Sequence, residues 1–395
     1  MALSNTQTQY GSITKTFHWL TAALILAIIP LGAIANKLPY ETNAQLAQKA
    51  YLFSLHKTLG VAVFFVALLR ILWAISQVKP GNLHPDRKGE TLLAEVVHWL
   101  LYGSLVIAPL TGWTHHAATT GFAPIWWPFG QDLPLIPKNE ALAHRLGSLH
   151  WIMTKVMVAS LLLHIAGALK HVFIDKDATL RRMWFGTSDV PKVAAHRSPL
   201  SAPLAAAAIF LVVGGATLAT DQGRAEGPAI AKLAQADSNW EVENGTLSIT
   251  VLQLGAEVTG TFSEWSADIT FDPANQSGEV TVTIAIGSLS LGSVTDQAMG
   301  ADFFNVNDFP TATFAGPIRN DGGATYVSDG RLAIKGASVP VQFAFDLIET
   351  DGVWQMDGVA AVDRLDFNIG ESMPDESNLG FTVEINADLT ATQSE

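Results

Sequence analysis

The sequence predicts a multi-domain protein: an all-α transmembrane bundle of four helices, a fifth transmembrane helix, then an all-β antiparallel barrel. Three observations predict it. Long apolar runs fill the first part of the chain, each long enough to cross a bilayer. From Trp240 the apolar residues recur with period two, in segments rich in Val, Ile and Thr. The charge also divides. Residues 1–221 carry 17 Lys+Arg against 10 Asp+Glu, and residues 222–395 carry 6 against 26. Such asymmetry means two environments, not one average domain. The expected boundaries are 1–190 for the four-helix part, 191–237 for the fifth helix and a linker, and 238–395 for the barrel.

At 395 residues the chain has room for two or three domains. It has no cysteine, which excludes disulfides, thiolate zinc sites, iron–sulfur clusters and covalently attached haem. No nucleotide loop, Ser/His/Asp constellation or flavin motif is present, and no nucleic-acid partner is expected. All 11 histidines lie between His18 and His196. Any imidazole chemistry therefore belongs to the helical part.

Residues 1–15 are polar, and the apolar run that follows continues too far for a cleavable signal. That first run spans about Phe17 to Ile34, with Pro30 as a possible kink. The second goes from about Tyr51 to Ile75, with His56 in its second turn and Arg70 near its far end. The third runs from about Leu92 to Trp113 and contains His98. The fourth extends from about Gly147 to Phe173. Basic residues cluster between the second and third runs (Lys79, Arg87, Lys88) and after the fourth (Lys176, Arg181, Arg182, Lys192, Arg197). Positive loops stay in the cytoplasm, so the N-terminus is expected there and the loop from about Thr114 to Ala143 outside. Pro124-Ile125-Trp126-Trp127-Pro128 in that loop reads as an aromatic interfacial element.

The fourth run carries His150 and His164, 14 residues apart. A helix rises roughly 21 Å over that distance and returns the second imidazole to within about 40° of the first. With alternating helices, His18 and His164 fall near the inner face, and His56 and His150 near the outer. Each layer could hold a six-coordinate haem between two imidazoles. The other histidines fit less well. His98 and His115 point about 260° apart, and His116 shares a face with His98 only if the third helix continues past Trp113. His144 falls in the loop. His171 shares the face of His164 and is its one serious competitor. His84 and His196 read as solvated loop residues. Gly60, Gly103 and Gly167 could admit a bulky ring or serve close helix packing, and both readings stay open.

These residues resemble the bacterial cytochrome b561 family. The resemblance rests on Phe17-His18-Trp19, on His56-Lys57-Thr58-Leu59-Gly60, on His150 with His164, and on the helix exit His164 to His171 followed by Asp175 to Met183. It covers about residues 8–185. It implies a b-type cytochrome with two haem b groups, axial ligands His18, His56, His150 and His164, and electron exchange with the quinone pool. Ubiquinone would be a substrate or a bound isoprenoid. Some relatives oxidise superoxide and pass the electron to quinone, which is the enzyme reading here. No other catalytic residue is implied. The implied location is the bacterial inner membrane, multi-pass, with the C-terminal domain periplasmic.

A fifth apolar run, about Leu200 to Leu218, reads as an anchor running outward. Its basic flank and its small residues at Ala216, Thr217 and Ala219 also fit an internal signal peptide. Beyond it, strands are expected at Thr246–Leu252, Glu257–Phe262, Ser266–Phe271, Glu279–Ile286, Thr311–Phe314, Ala324–Val327, Arg331–Ile334, Val341–Ile348, Val353–Ala361 and Phe381–Leu389. Asn244-Gly245, Asp321-Gly322 and Asp329-Gly330 are expected turns. Many short antiparallel strands favour closure into a barrel, which removes exposed edges. This half resembles the YceI family of lipocalin-like periplasmic barrels. The matching residues include Gly300-Ala-Asp302-Phe303-Phe304, Asp308-Phe309-Pro310 and Gly330-Arg-Leu332-Ala-Ile334-Lys-Gly336 with Pro340-Val341. The resemblance covers about 238–393 and implies a cavity for an isoprenoid chain, such as a quinone tail or polyprenyl lipid. The family's His-Ser near the first strand is absent, since this half has no histidine.

The leading expectation is a di-haem cytochrome moving electrons between the quinone pool and a periplasmic partner, beside an isoprenoid-binding barrel. The alternative is an isoprenoid-lipid carrier or stress-response module anchored by the cytochrome. A structural anchor with incidental histidines is the third.

Overall fold

The computed structural model describes residues 2–119, 122–186, 193, 200–220, 230–234 and 238–393. The chain forms two compact units: Met1–Lys37, Leu52–Ala118 and Pro124–Arg224 in one, Leu38–Tyr51, Thr119–Ala123 and Ala225–Glu395 in the other.

The helices are α1 (Ser12–Lys37), α2 (Asn43–Ser76), α3 (Lys88–Ala118), α4 (Glu140–Phe173), α5 (Thr179–Met183) and α6 (Ser201–Thr220). All but α5 are long and apolar enough to cross a membrane, and the chain is a multi-pass membrane protein with five candidate spans. Their outward faces carry exposed Leu26, Leu69, Leu72, Leu162, Leu204 and Leu211, as a lipid-facing surface requires. The helices exceed the apolar runs because polar end turns remain helical. Asn139 caps α4, its side chain accepting from the Leu142 amide. His144 is therefore helical, not in the loop as expected. Likewise α3 continues past Trp113 to Ala118 and carries both His115 and His116. Helix α6 packs by small residues. Ala202, Ala206 and Gly214 are buried, Gly214 faces Met153 and Leu149 on α4, and Gly103 on α3 faces Phe210. Gly103 thus serves helix packing.

One end of the bundle is tied by polar contacts between its connections. The Asn5 amide donates to the Gln77 side chain and the Asn5 side chain to the Val78 carbonyl, the Gly81 amide donates to the Gln7 carbonyl, and Arg182 donates to the Gly81 carbonyl. Arg87 reaches Asp175 at 2.8 Å, and Lys170 reaches Glu90 at 2.8 Å and Asp175 at 2.9 Å. Arg87 in the α2–α3 connection, Lys170 at the end of α4 and Arg182 in α5 thus lie at this end.

The second unit is built on a sheet of ten antiparallel strands: β1 (Trp240–Gln253), β2 (Ala256–Phe262), β3 (Trp265–Asp272), β4 (Ser277–Ala285), β5 (Leu289–Ser290), β6 (Thr311–Gly322), β7 (Thr325–Ile334), β8 (Ala337–Thr350), β9 (Val353–Asp363) and β10 (Leu379–Gln393). The order is β3-β4-β6-β7-β8-β9-β10-β1-β2-β5. The sheet curls on itself, but its ladder stops at β3 and at the two-residue β5. The gap beside β3 is bridged instead by Ser238, the Asn239 amide and the Trp240 indole, which donate to the Ile269 and Phe271 carbonyls. Alternate side chains point inward, giving a core that includes Trp240, Leu247, Phe271, Ile284, Leu332 and Phe345.

Two expected turns are not turns. Asn244-Gly245 lies inside β1, where a Cβ on Gly245 would stand 2.6 Å from the Trp265 ring. Asp329-Gly330 lies inside β7, where a Cβ on Gly330 would stand 2.4 Å from the Phe314 ring. Both glycines make room for an aromatic ring crossing the strand. Asp321-Gly322 ends β6 directly before the turn at Gly323-Ala324, with Gly322 at φ 127° and Gly323 at φ 62°.

Candidate haem sites and the barrel cavity

The four helices α1 to α4 each carry a pair of residues 14 apart that point into the bundle: His18 and Gly32, His56 and Arg70, His98 and Gly112, His150 and His164. A 14-residue step keeps both members on one face, roughly 21 Å apart. Antiparallel packing sorts the eight into two layers. A basal layer near the tied end holds His18, Arg70, His98 and His164. A distal layer holds Gly32, His56, Gly112 and His150.

In the basal layer the His18 and His164 ring centroids are 6.0 Å apart. In the distal layer the His56 and His150 centroids are 6.4 Å apart. A metal–imidazole bond of about 2 Å on each side, plus roughly 1 Å from ring nitrogen to centroid, separates two axial imidazole centroids by about 6 Å. Both pairs meet that requirement. The structure also brings His98 to 5.0 Å from His164. That is too close to bracket an iron, yet it makes His98, not His171, the neighbour of the basal pair. His98 is further held by its own helix, Nδ1 lying 2.6 Å from the Ala94 carbonyl.

The distal imidazoles are oriented by backbone. His56 Nδ1 donates to the Ile28 carbonyl at 3.0 Å, and His150 Nδ1 donates to the Ala108 carbonyl at 2.7 Å. A neutral imidazole that donates from Nδ1 leaves the Nε2 lone pair for a metal. Two glycines flank these rings. A Cβ on Gly32 would sit 2.5 Å from the His56 ring, and one on Gly112 would sit 2.9 Å from the His150 ring. Sequence reasoning singled out Gly60, Gly103 and Gly167 instead. Gly60 meets only Ile28 at 3.5 Å, and Gly167 faces open space. The missed signal was present: Gly32 and Gly112 follow histidines by the same 14 residues that separate His150 from His164.

The basal layer carries charge where the distal layer carries glycine. Arg70 Nη2 stands 3.5 Å from His18 Nδ1, and its guanidinium lies 5.3 Å from the centre of the Tyr102 ring. His115 and His116 stand beside the distal layer, their rings 4.6 Å apart, with His115 Nδ1 donating to the Ala143 carbonyl. His84, in the α2–α3 connection, and His171, in the last turn of α4, lie away from both layers and meet at Asp177. His196 falls outside the described residues. In the Trp126-Trp127 loop, Trp127 is 89% exposed, while the Trp126 amide donates to Thr58 and Phe129 stacks on Phe65 at 5.6 Å.

Residues 9–186 match the family described as Prokaryotic cytochrome b561, and residues 236–391 match the YceI-like domain. Cytochrome b561 homolog 2 of Escherichia coli (strain K12) is 33% identical over 185 residues, covering 46% of this chain and 95% of that protein. The chain belongs to the prokaryotic cytochrome b561 family and carries a C-terminal YceI-like domain. Membership implies haem b. A protein named Probable superoxide oxidase CybB, from Yersinia pestis, is 26% identical over 176 residues, covering 44% of this chain and 95% of its own length. Among solved structures, BcnA of Burkholderia cenocepacia is 32% identical, covers 38% of this chain and 100% of its own, and gives a TM-score of 0.37. The Campylobacter jejuni YceI protein is 21% identical, with coverages of 44% and 96% and a TM-score of 0.32.

The interior of the YceI-like domain is an apolar space in two lobes. One is lined by Trp240, Phe271, Val280, Phe345 and Trp354, the other by Val251, Val258, Phe303, Phe304 and Met373. Leu247, Ile284, Leu332 and Ile385 line both and form the waist between them. Phe303 and Phe304 therefore wall the cavity. At the Phe303 end Arg364 is buried. Its Nε and Nη atoms donate to the carbonyls of Gly380, Ile369, Gly370 and Met373, which pins the segment before β10. Burial pushes its pKa below the usual arginine range.

Proposed function

We propose that the helical unit is a di-haem electron carrier between the quinone pool and a partner on the opposite membrane face. His18 with His164 and His56 with His150 would hold the two haems. The observation that carries this reading is the two imidazole pairs at 6.0 and 6.4 Å, stacked on helices whose paired residues repeat at 14. Haem, when bound, supplies reversible one-electron transfer. The chain's own part is to hold the ligating nitrogens and exclude water. The Ile28 and Ala108 carbonyls fix the distal rings, and Gly32 and Gly112 leave them room. In the basal layer Arg70 places a positive charge beside His18. A fixed cation stabilises the reduced, less positive state of a nearby redox centre. The two layers therefore differ in potential, the basal one being the better electron acceptor.

Orientation follows the basic connections: the tied end is cytoplasmic, and the YceI-like domain follows α6 into the periplasm. Superoxide is the periplasmic donor that the relationship to the Yersinia pestis protein suggests, with ubiquinone as acceptor. The two-lobed apolar cavity favours a second role for the YceI-like domain, binding an isoprenoid quinone or polyprenyl lipid. The decisive experiment is haem content by pyridine haemochrome in full-length protein. Wild type should hold two haem b per chain. His150→Ala and His164→Ala should each hold one, with different spectra, and His171→Ala should hold two. Retention of both haems by His150→Ala or His164→Ala would sink the ligand assignment.

A further inference from the structure

At the tied end of the bundle, three side chains, two from connections and one from the end of α4, converge on one point. His84 precedes α3, His171 lies in the last turn of α4, and Asp177 stands between α4 and α5. His84 Nε2 is 3.0 Å from Asp177 Oδ2, and His171 Nδ1 is 2.7 Å from the same oxygen. One donor atom from each residue lies within 4.8 Å of the other two. The two imidazole planes are nearly parallel, 10° apart, with centroids at 6.2 Å. We propose that His84, His171 and Asp177 bind a divalent transition-metal ion of the zinc type, separate from the haem sites.

The donor set is the first argument. Two imidazoles and a carboxylate are a common three-ligand set for zinc, at bond lengths of about 2.0–2.2 Å. Donors around an ion at those lengths sit roughly 3.3 Å apart, so an ion enters when the two rings ease away from Asp177 by a few tenths of an ångström. A fourth donor is near, since Asp175 Oδ2 stands 3.3 Å from His171 Nδ1.

The second argument is how the ligands are held. The Thr179 amide donates to Asp177 Oδ1 at 2.7 Å, which leaves Oδ2 toward the imidazoles. Burial pushes the Asp177 carboxyl up, and hydrogen bonds from Thr179, His171 and His84 outweigh that, taking it down to about 2. It is ionised at any physiological pH. Arg87 and Lys170 are turned to Asp175 and Glu90, so neither cation occupies the hydrogen-bonding edge of Asp177. The side chains of His84, His171 and Asp177 are 32%, 28% and 11% exposed, enough for an ion to enter. Bound metal would clamp the α2–α3 connection to the end of α4.

The test uses tag-free full-length protein in detergent and Zn2+ alone, measured by equilibrium dialysis and elemental analysis. Wild type should bind one tight equivalent and gain thermal stability from it. His84→Ala and Asp177→Asn should each weaken that equivalent by more than about 100-fold while keeping two haems, beyond the roughly 10–100-fold that removal of an outer-shell partner costs. With Cu2+ as probe, the EPR signal of wild type should show two coordinated nitrogens and that of His84→Ala one. Two results would overturn the proposal. One is the absence of a stoichiometric ion in wild type, which leaves a hydrogen-bonded His–Asp–His strap. The other is unchanged binding in both variants, which places the ion at other histidines. Should His84→Ala fail to fold, Asp177→Asn and the Cu2+ spectrum of wild type still decide.

Discussion

The distal and basal layers of the helical unit are built on the same four 14-residue pairs and solve different problems. The distal layer sets two glycines beside two histidines. Its imidazoles are aimed by the Ile28 and Ala108 carbonyls, and the glycines keep the rings from being displaced. The basal layer replaces the glycines with Arg70 and His98. Its His18 faces a guanidinium, and its His164 has a second imidazole at 5.0 Å. The difference teaches that a repeated helical spacing sets where groups stand, while the residue type at the non-ligand positions decides what surrounds them. Space and backbone dominate one layer, charge the other.

The largest expected effect separates them by volume. Gly112→Leu and Gly32→Leu should each drive a side chain into a distal imidazole and reduce haem content from two per chain to one, the basal spectrum being kept. Gly167→Leu, at a glycine facing open space, should retain two. Equal loss in all three variants would mean general helix disruption and dissolve the contrast. Haemochrome content with low-temperature optical spectra reads the outcome.

A smaller effect separates the layers by charge. Arg70→Leu should keep both haems and lower the midpoint potential of the basal one by tens of millivolts, where about 60 mV corresponds to tenfold in a one-electron equilibrium. The distal potential should stay in place. A redox titration that moves both potentials together, or neither, removes Arg70 from its assigned role.

The smallest effect comes from acid. Hydrogen bonds from Arg87 and Lys170 hold the Asp175 carboxyl down at about 2, and Asp177 also lies at about 2. Carboxylates with depressed folded-state values contribute stability above their unfolded value near 4 and lose it as pH falls towards 2. Between pH 7 and pH 5 these contacts should therefore not weaken. Below about pH 4 the tied end should loosen first, and the basal haem should be lost before the distal one in a pH-jump followed optically. Loss in the reverse order would show that this end does not stabilise the layer beside it.

Much of this organisation was legible from residue order alone. Apolar run length reported the spans, because a bilayer core needs about 20 residues of helix. The change to period two reported the sheet, and the 14-residue step placed His150 and His164 on one face. Those are properties of a single element with its own periodicity. Partnership between elements was not legible in the same way. Which of 11 histidines would meet depended on how α3 packs, and α3 continues past its apolar run because polar end turns stay helical. The convergence of His84, His171 and Asp177 joins residues 87 and 93 positions apart, and no local pattern marks it. Gly245 and Gly330 look like turn residues in sequence, yet tertiary structure uses them to pass an aromatic ring across a strand. Sequence determined the two-part architecture, the spans and the imidazole ladder, because local periodicity and hydropathy act over one element. Tertiary structure decided the partners, the glycines that clear the rings and the charge beside His18, because packing joins elements that sequence leaves apart.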